Sequence, residues 1–475
     1  MIRSSIREVL GIDRDYTSVT QRTRHTYVIG QPGMGKTRAL ESWVMQDIAQ
    51  GHGVGVIDPH GDLFQRLVIR LVSMPKAWDR LVILDPCNPR WTVCFNPLEA
   101  IQGVTPERLS LFMTDVIVKI WKLDSSSSPR MIWLLTNTFL ALSGLGLTLL
   151  DLPRFLLDGD FRDRMLPRLS NETARSYFQF EFPKSQAAVH QWVTPVLNKI
   201  GGLIFDPDLR LMFSGQAKLN FREVLDNQMI LLVNLPKGIL GEGASALLGA
   251  FIVAYFQKAA LSRADTYVRP PFYLYLDEFQ NYTTDNIQDI LSESRKYALS
   301  LILAHQYLEQ LSVDLRNAVL NTAGTLACFR VGYQDAYQLA KEIFPSPDFL
   351  STSEAGLKFN HPGRFKPLTS LILRQKSLGW EGLAQALTQL PSQTFWCRRR
   401  GSLKPIRLRA IDMPDPLITS GVKAGKVELL NFVGSRFGRL TQDLRGEYSG
   451  YSNDGVRPVM EDADGSDPSG SIWSR

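Results

Sequence analysis

Cysteine is scarce in this chain: there are four in 475 residues, Cys87, Cys94, Cys328 and Cys397, and no C-x-x-C pair. Neither a disulfide framework nor a cysteine zinc site is expected, and a reducing compartment fits. Charge of one sign is also nearly absent in excess. Lys and Arg number 53 against 47 Asp and Glu, a net +6, which permits a nucleic-acid partner without demanding one. The opening Met1-Ile-Arg-Ser-Ser-Ile-Arg-Glu has no apolar core region, so no signal peptide is expected. One long hydrophobic run, Met131 to Leu150, is broken by Gly144 and Gly146. A helix of about fourteen residues followed by a turn is a buried core helix rather than a membrane span. No internal repeat is found.

With 44% apolar and 21% charged residues, the composition is that of a globular protein able to bury a core. Its length suits one large domain with an insertion, or about two to three domains. One stretch organises the rest: His25-Thr-Tyr-Val-Ile-Gly-Gln-Pro-Gly-Met-Gly-Lys-Thr37. A β-branched and aromatic strand runs into Gly30, Gln31, Pro32, Gly33, Met34, Gly35, Lys36 and Thr37, which match G-x-x-x-x-G-K-[ST] at every fixed position. Glycines let backbone N–H groups curl around a phosphate, and the following helix offers its positive end to the same anion. Lys36 would reach the β- and γ-phosphates, and the Thr37 hydroxyl would ligate Mg²⁺. A nucleoside triphosphate site is expected here.

Downstream, Val54-Gly-Val-Ile-Asp58 and Leu81-Val-Ile-Leu-Asp-Pro86 are apolar strands, each ending in Asp-Pro. Continuous apolar strands separated by helix-like segments predict an α/β fold with a mostly parallel sheet. Ligands bind at the carboxyl ends of such strands, which places Asp58, His60 and Asp62 on the nucleotide side. From about Asn96 to Arg222 helical spacing replaces strand signals, predicting a mostly helical insertion. The sheet resumes with Gln228-Met-Ile-Leu-Leu-Val-Asn234 and Phe272-Tyr-Leu-Tyr-Leu-Asp277-Glu278. The second has the requirements of a Walker B strand, with Asp277 delivered to the Mg²⁺ shell and Glu278 polarising the attacking water. Gln306, at the tip of the next strand, is placed either to sense the γ-phosphate or in a plain turn. Thr394 to Arg400 reads as an exposed strand with a charged end, able to touch phosphate backbones or simply to protect an edge. The tail from about Gln442, rich in Gly, Ser, Asp and Pro, reads as disordered.

The P-loop, Val56-Ile-Asp-Pro-His-Gly-Asp-Leu63, Cys94-Phe-Asn-Pro-Leu98, Leu276-Asp-Glu-Phe-Gln280 and Arg295-Lys-Tyr-Ala-Leu-Ser-Leu-Ile-Leu-Ala-His-Gln306 occur in that order. This ordered set resembles the conjugative DNA-transfer ATPases, the type IV secretion coupling proteins of the FtsK/HerA superfamily. The resemblance spans roughly residues 23 to 415. It implies a RecA-like P-loop motor domain interrupted by an all-α domain, assembling as a ring, usually a hexamer, around DNA and hydrolysing ATP with Mg²⁺. It further implies Lys36 and Thr37 on phosphate and Mg²⁺, Asp277 and Glu278 as Walker B, and Gln306 as sensor. Arg295 matches the position from which a neighbouring subunit inserts an arginine finger, with Arg330 in reserve. The domains expected are a peripheral segment 1–24, a nucleotide-binding domain in two parts (25–98 and 225–415), a helical insertion 99–224, and a C-terminal segment 416–475 that is largely disordered tail. Many coupling proteins carry N-terminal membrane helices, whereas this P-loop falls within the first forty residues. The expected location is therefore the cytoplasm, with attachment to the inner membrane through a partner such as a relaxase or a secretion channel.

Three other readings remain open. The same ring could process DNA with a nuclease, it could remodel or secrete protein without gripping DNA, or the chain could be a scaffold that does not hydrolyse. Intact Lys36, Asp277 and Glu278 weigh against the scaffold. An ABC transporter ATPase is disfavoured, because Phe213-Ser-Gly-Gln216 is only a fragment of that signature and lies too far ahead of Walker B.

Overall fold

The computed structural model describes residues 24–446 apart from 100–103, 122, 124–127, 215–218, 283–289, 292, 348, 350–378, 403, 412 and 417. The serine loop 124–127, much of the basic stretch 365–385 and the tail beyond 446 therefore lie outside the described residues.

In chain order the first elements are β1 (Thr26–Ile29), α1 (Lys36–Ala49), β2 (Gly53–Asp58), α2 (Asp62–Val72), β3 (Leu81–Leu84) and the short β4 (Trp91–Thr92). Helices follow, among them α3 (Pro106–Ile120), α4 (Pro129–Gly144) and α5 (Gln186–Phe205), and no strand occurs among the described residues from Pro106 to Asp226. Then come β5 (Ile230–Asn234), α6 (Glu242–Ser262), β6 (Phe272–Leu276), β7 (Leu299–His305), β8 (Thr325–Cys328), α7 (Tyr333–Ile343), α8 (Gly379–Thr388), β9 (Thr394–Arg399), β10 (Ile406–Arg409), α9 (Ser420–Phe437) and β11 (Arg439–Leu440).

Nine strands form one sheet in the order β10-β9-β8-β1-β7-β6-β2-β5-β3. All neighbours from β8 to β3 run parallel, and only β9 and β10 are antiparallel. The expected mostly parallel α/β sheet with a helical insertion is present. Every residue of β1, β2, β3, β5, β6, β7 and β8 is buried, which is why these strands read as unbroken apolar runs rather than alternating ones.

The helix α6 is long and apolar enough to cross a membrane, yet 83% of its most apolar window is buried inside the protein. It is apolar all round because its surroundings are protein on nearly every side. Tyr255 donates its hydroxyl to Pro97 O (2.6 Å), and Lys258 lies over the Phe112 ring of α3 (4.5 Å), joining this core helix to the helical region. The run from Met131 begins within α4, which ends at Gly144, and its last residues enter a separate 3-10 turn, Leu149–Asp151.

Two expectations are corrected. The strand β9 is not an exposed edge: it lies between β8 and β10, with Phe395 and Cys397 buried. Arg398 donates to the Glu342 carbonyl, and Arg400, exposed just beyond the strand, donates from Nη1 to Asn321 O (2.6 Å). The C-terminal segment is not simply tail. Between Ser420 and Leu440 it forms a helix and a strand, with Leu429, Val433 and Phe437 buried and β11 paired antiparallel with β4. That apolar stripe is diluted by Gly and Lys, so composition hid it.

Candidate nucleotide site

The sheet brings its carboxyl-end loops together where β1, β7, β6 and β2 lie side by side. After β1 the chain turns through Gly33 (φ 75°) and Gly35 (φ 103°) into α1. These left-handed positions favour glycine, and they leave the first N–H groups of α1 without intrahelical partners, as a phosphate cradle requires. Lys36 is 6% exposed, and its ammonium donates to Gly30 O (2.6 Å) and Gln31 O (3.3 Å). Burial lowers its pKa, while Glu278 and Asp277 act the other way. The cation is thus stored on loop carbonyls beside the acidic pair. Thr37 is half-buried at the first turn of α1.

Asp277 follows the last residue of β6, and its N–H donates to Ile57 O (3.2 Å) across the sheet. Burial, then the nearby charges of Asp58 and Glu278, pushes its carboxyl up to about 7, with Lys36 opposing. Asp58 is itself committed: its carboxylate accepts from His60 N and Phe64 N, each 2.9 Å, and so caps the start of α2. It contributes field rather than a free ligand, while His60 and Asp62 are exposed. Among the described residues no three Asp, Glu, His or Cys side chains converge where a metal could sit. That suits Mg²⁺, which takes one or two protein oxygens and completes its shell with water and substrate phosphate. Thr37 and Asp277 supply hard oxygens of this kind, and the surplus negative charge around Asp277 favours a cation.

Glu278 is 7% exposed. Its Oε1 accepts from Gln306 Nε2 (2.9 Å) and its Oε2 from Gln280 Nε2 (2.8 Å). The structure therefore brings Lys36, Asp277, Glu278 and Gln306 together. Arg295 does not join them. It is exposed on the turn Ser294–Tyr297 that enters β7, whereas Gln306 follows the last residue of that strand. A strand of this length separates the two by roughly 20 Å. Arg330 lies beside the P-loop of its own chain: its carbonyl accepts from Gln31 N (2.7 Å) and its Nε donates to Leu390 O (2.6 Å).

Sequence reading missed the turn before β9. Gln393 N donates to Met34 O (2.8 Å) and Ser392 Oγ to Gly33 O (3.4 Å), bracing the outer side of the P-loop. No local signal marks these residues. A cavity of about 400 Å³ opens between Gln31, Gln306 and Tyr333, and another of about 610 Å³ lies between Gln31, Tyr333 and Gln385. Neither is lined by Lys36 or Asp277, so both flank the phosphate cradle rather than fill it.

Solved structures share this fold. The plasmid coupling protein TrwB in complex with ADP and Mg²⁺ has a TM-score of 0.59 to this chain at 17% identity, covering 85% of this chain and 89% of that one. The fold is that of a conjugative coupling protein. VirB4 of Thermoanaerobacter pseudethanolicus is similar to this chain with a TM-score of 0.50 at 12% identity over 82% of this chain and 90% of its own. In sequence, the type 4 coupling protein DotL of Legionella pneumophila is 22% identical over 349 residues, 60% of this chain and 44% of that protein. The chain thus matches less than half the length of this curated relative. No protein-family model matches it.

Proposed function

We propose that this chain is an ATP-hydrolysing, ring-forming DNA motor of the coupling-protein kind. The observation that carries the reading is the convergence of Lys36, Asp277, Glu278 and Gln306 at one end of a coupling-protein sheet. In this reading the N–H groups from Gly33 to Thr37 and the Lys36 ammonium hold the phosphates. Thr37 and Asp277 would hold Mg²⁺, which would supply neutralisation of the negative charge that develops on the phosphates. Glu278 takes the proton of the attacking water while Gln306 orients toward the γ-phosphate. The cavities beside Gln31 give room for the nucleoside.

Arg295 is too far from its own P-loop to assist there. It is suited to a neighbouring subunit, where a guanidinium would stabilise charge on the transferred phosphoryl group. This favours Arg295 over Arg330 as the finger and makes the ring, proposed as a hexamer, part of the active site. We place the protein in the cytoplasm, held at the inner membrane through a relaxase or secretion-channel partner.

ATP turnover by the purified protein and by Lys36→Ala, with and without single- and double-stranded DNA, tests the proposal. Several-fold stimulation by DNA in the wild type and none in the variant is the expected result. Turnover indifferent to both DNAs at low and moderate salt would replace the DNA substrate with protein.

A further inference from the structure

The carboxylate of Glu278 is held at both oxygens, and the two holders differ in kind. Its backbone is left-handed (φ 47°, ψ 52°), a conformation unfavourable for a residue with a Cβ and maintained only where the surroundings impose it. Here Glu278 N donates to Asp277 Oδ1 (3.1 Å) and Asn281 Nδ2 to Glu278 O (2.8 Å), fixing the turn. Gln280 belongs to that same turn, Phe279–Asn281. Its bond to Oε2 is therefore local and travels with Glu278. Gln306 reaches Oε1 from the tip of β7, which lies between β6 and the P-loop strand β1. When Gln306 turns its amide toward a γ-phosphate, as its sensor role in the proposed function requires, Gln280 is the side-chain amide left on the Glu278 carboxylate.

We infer that Gln280 is a positioning residue that holds the Glu278 carboxylate in line while Gln306 serves the phosphate. The inference rests on Glu278 being the base in ATP hydrolysis. In that step the water oxygen bonds to the γ-phosphorus, and its proton passes to Glu278 Oε1. The bond from the γ-phosphorus to the bridging oxygen breaks, and its electron pair leaves with ADP. With Oε2 tethered, Oε1 is presented in one direction. Without the tether the side chain samples several rotamers, and misplacement by about 1 Å costs roughly 100-fold in rate.

The test uses Gln280→Met and Gln280→Leu, both close to glutamine in size and neither able to donate to Oε2. Steady-state ATP turnover, binding of a fluorescent ATP analogue and the thermal midpoint are measured for each, together with Glu278→Gln and the double variant Glu278→Gln/Gln280→Met. The expected result is a kcat lower by roughly 10- to 100-fold, with analogue affinity and midpoint unchanged. The double variant is expected to be no slower than Glu278→Gln alone, since a tether has no effect once its carboxylate is gone. Wild-type kcat in both Gln280 variants, with Glu278→Gln inactive, would overturn the inference. So would a loss of kcat matched by lost analogue affinity or a lowered midpoint, which marks a merely structural role. Full turnover in Glu278→Gln would sink the base assignment itself, a failure separable from the other two.

Discussion

His25 shows how much one side chain can carry outside the reaction. It is 2% exposed at the entry of β1, and Leu301 N donates to its Nδ1 (3.0 Å) while its Nε2 faces Leu291 O (3.0 Å). An N–H aimed at Nδ1 requires that nitrogen to be an acceptor, so Nε2 carries the proton and the ring is neutral. Burial pushes its pKa down from 6.5 to about 4, with the Leu291 bond opposing and the Arg295 charge adding a little. The unfolded chain therefore takes up this proton first as the pH falls. Stability attributable to His25 is whole above pH 6.5 and is lost progressively toward about pH 4, roughly 3 kcal/mol in all. His305, pushed down to about 3 by burial, slopes the same way, so the readout is a difference between proteins. Thermal midpoints at pH 7.5 and 5 should fall further in the wild type than in His25→Gln. Equal falls would refute the assignment.

Among the elements, α6 is packed most tightly at Gly249. A Cβ built there would lie 2.2 Å from Tyr282 Cδ1 and 2.4 Å from Cε1. Alanine normally favours a helix over glycine by about 1 kcal/mol, but here that gain is set against a ring that is itself fully buried. Overpacking of this kind costs about 1–3 kcal/mol, so the clash wins. Gly249→Ala should lower the denaturant midpoint, and because Tyr282 follows the Glu278 turn it should also slow turnover. An unchanged midpoint would mean that Tyr282 has room to move. A second element-level feature is the contact of α1 and α2 with the strap after β10. Glu41, with a fully buried carboxylate, accepts from Arg66 Nε (2.7 Å) and from Arg70, and Asp415 accepts from Arg38 and Arg66. Asp415 is 69% exposed along its side chain, so its pairs are worth little in water. Glu41→Ala, which leaves the inner arginines facing an uncharged void, should destabilise far more than Asp415→Ala in the same denaturation experiment.

For the molecule as a whole, Arg295 and the nucleotide site occupy opposite ends of the sheet. Turnover should therefore depend on assembly. Arg295→Ala should lose about 10³-fold or more in kcat, as should Lys36→Ala. Mixing the two should restore part of the rate, because some interfaces then pair an intact P-loop with an intact arginine. No recovery on mixing, with rings still formed, would remove Arg295 from the site.

Much of this was written into contiguous stretches of chain. The P-loop is legible because its glycines, Lys36 and Thr37 lie within one turn, and the Asp277–Glu278 pair because a buried strand is apolar up to its last residue, after which the acidic pair stands out. The helical insertion was readable for the same reason: helix periodicity is a local property. Tertiary structure alone decided which strand lies beside which, and hence that Gln306 meets Glu278, that Asp58 loads Asp277, and that Gln393 braces Met34. It also decided that Arg295 lies at the far end of the sheet and that Leu429 and Val433 hold a C-terminal helix against the nucleotide-binding domain. Hydrogen bonds and fields between residues hundreds of positions apart leave no periodic trace, because they depend on how strands pair and not on which residues adjoin.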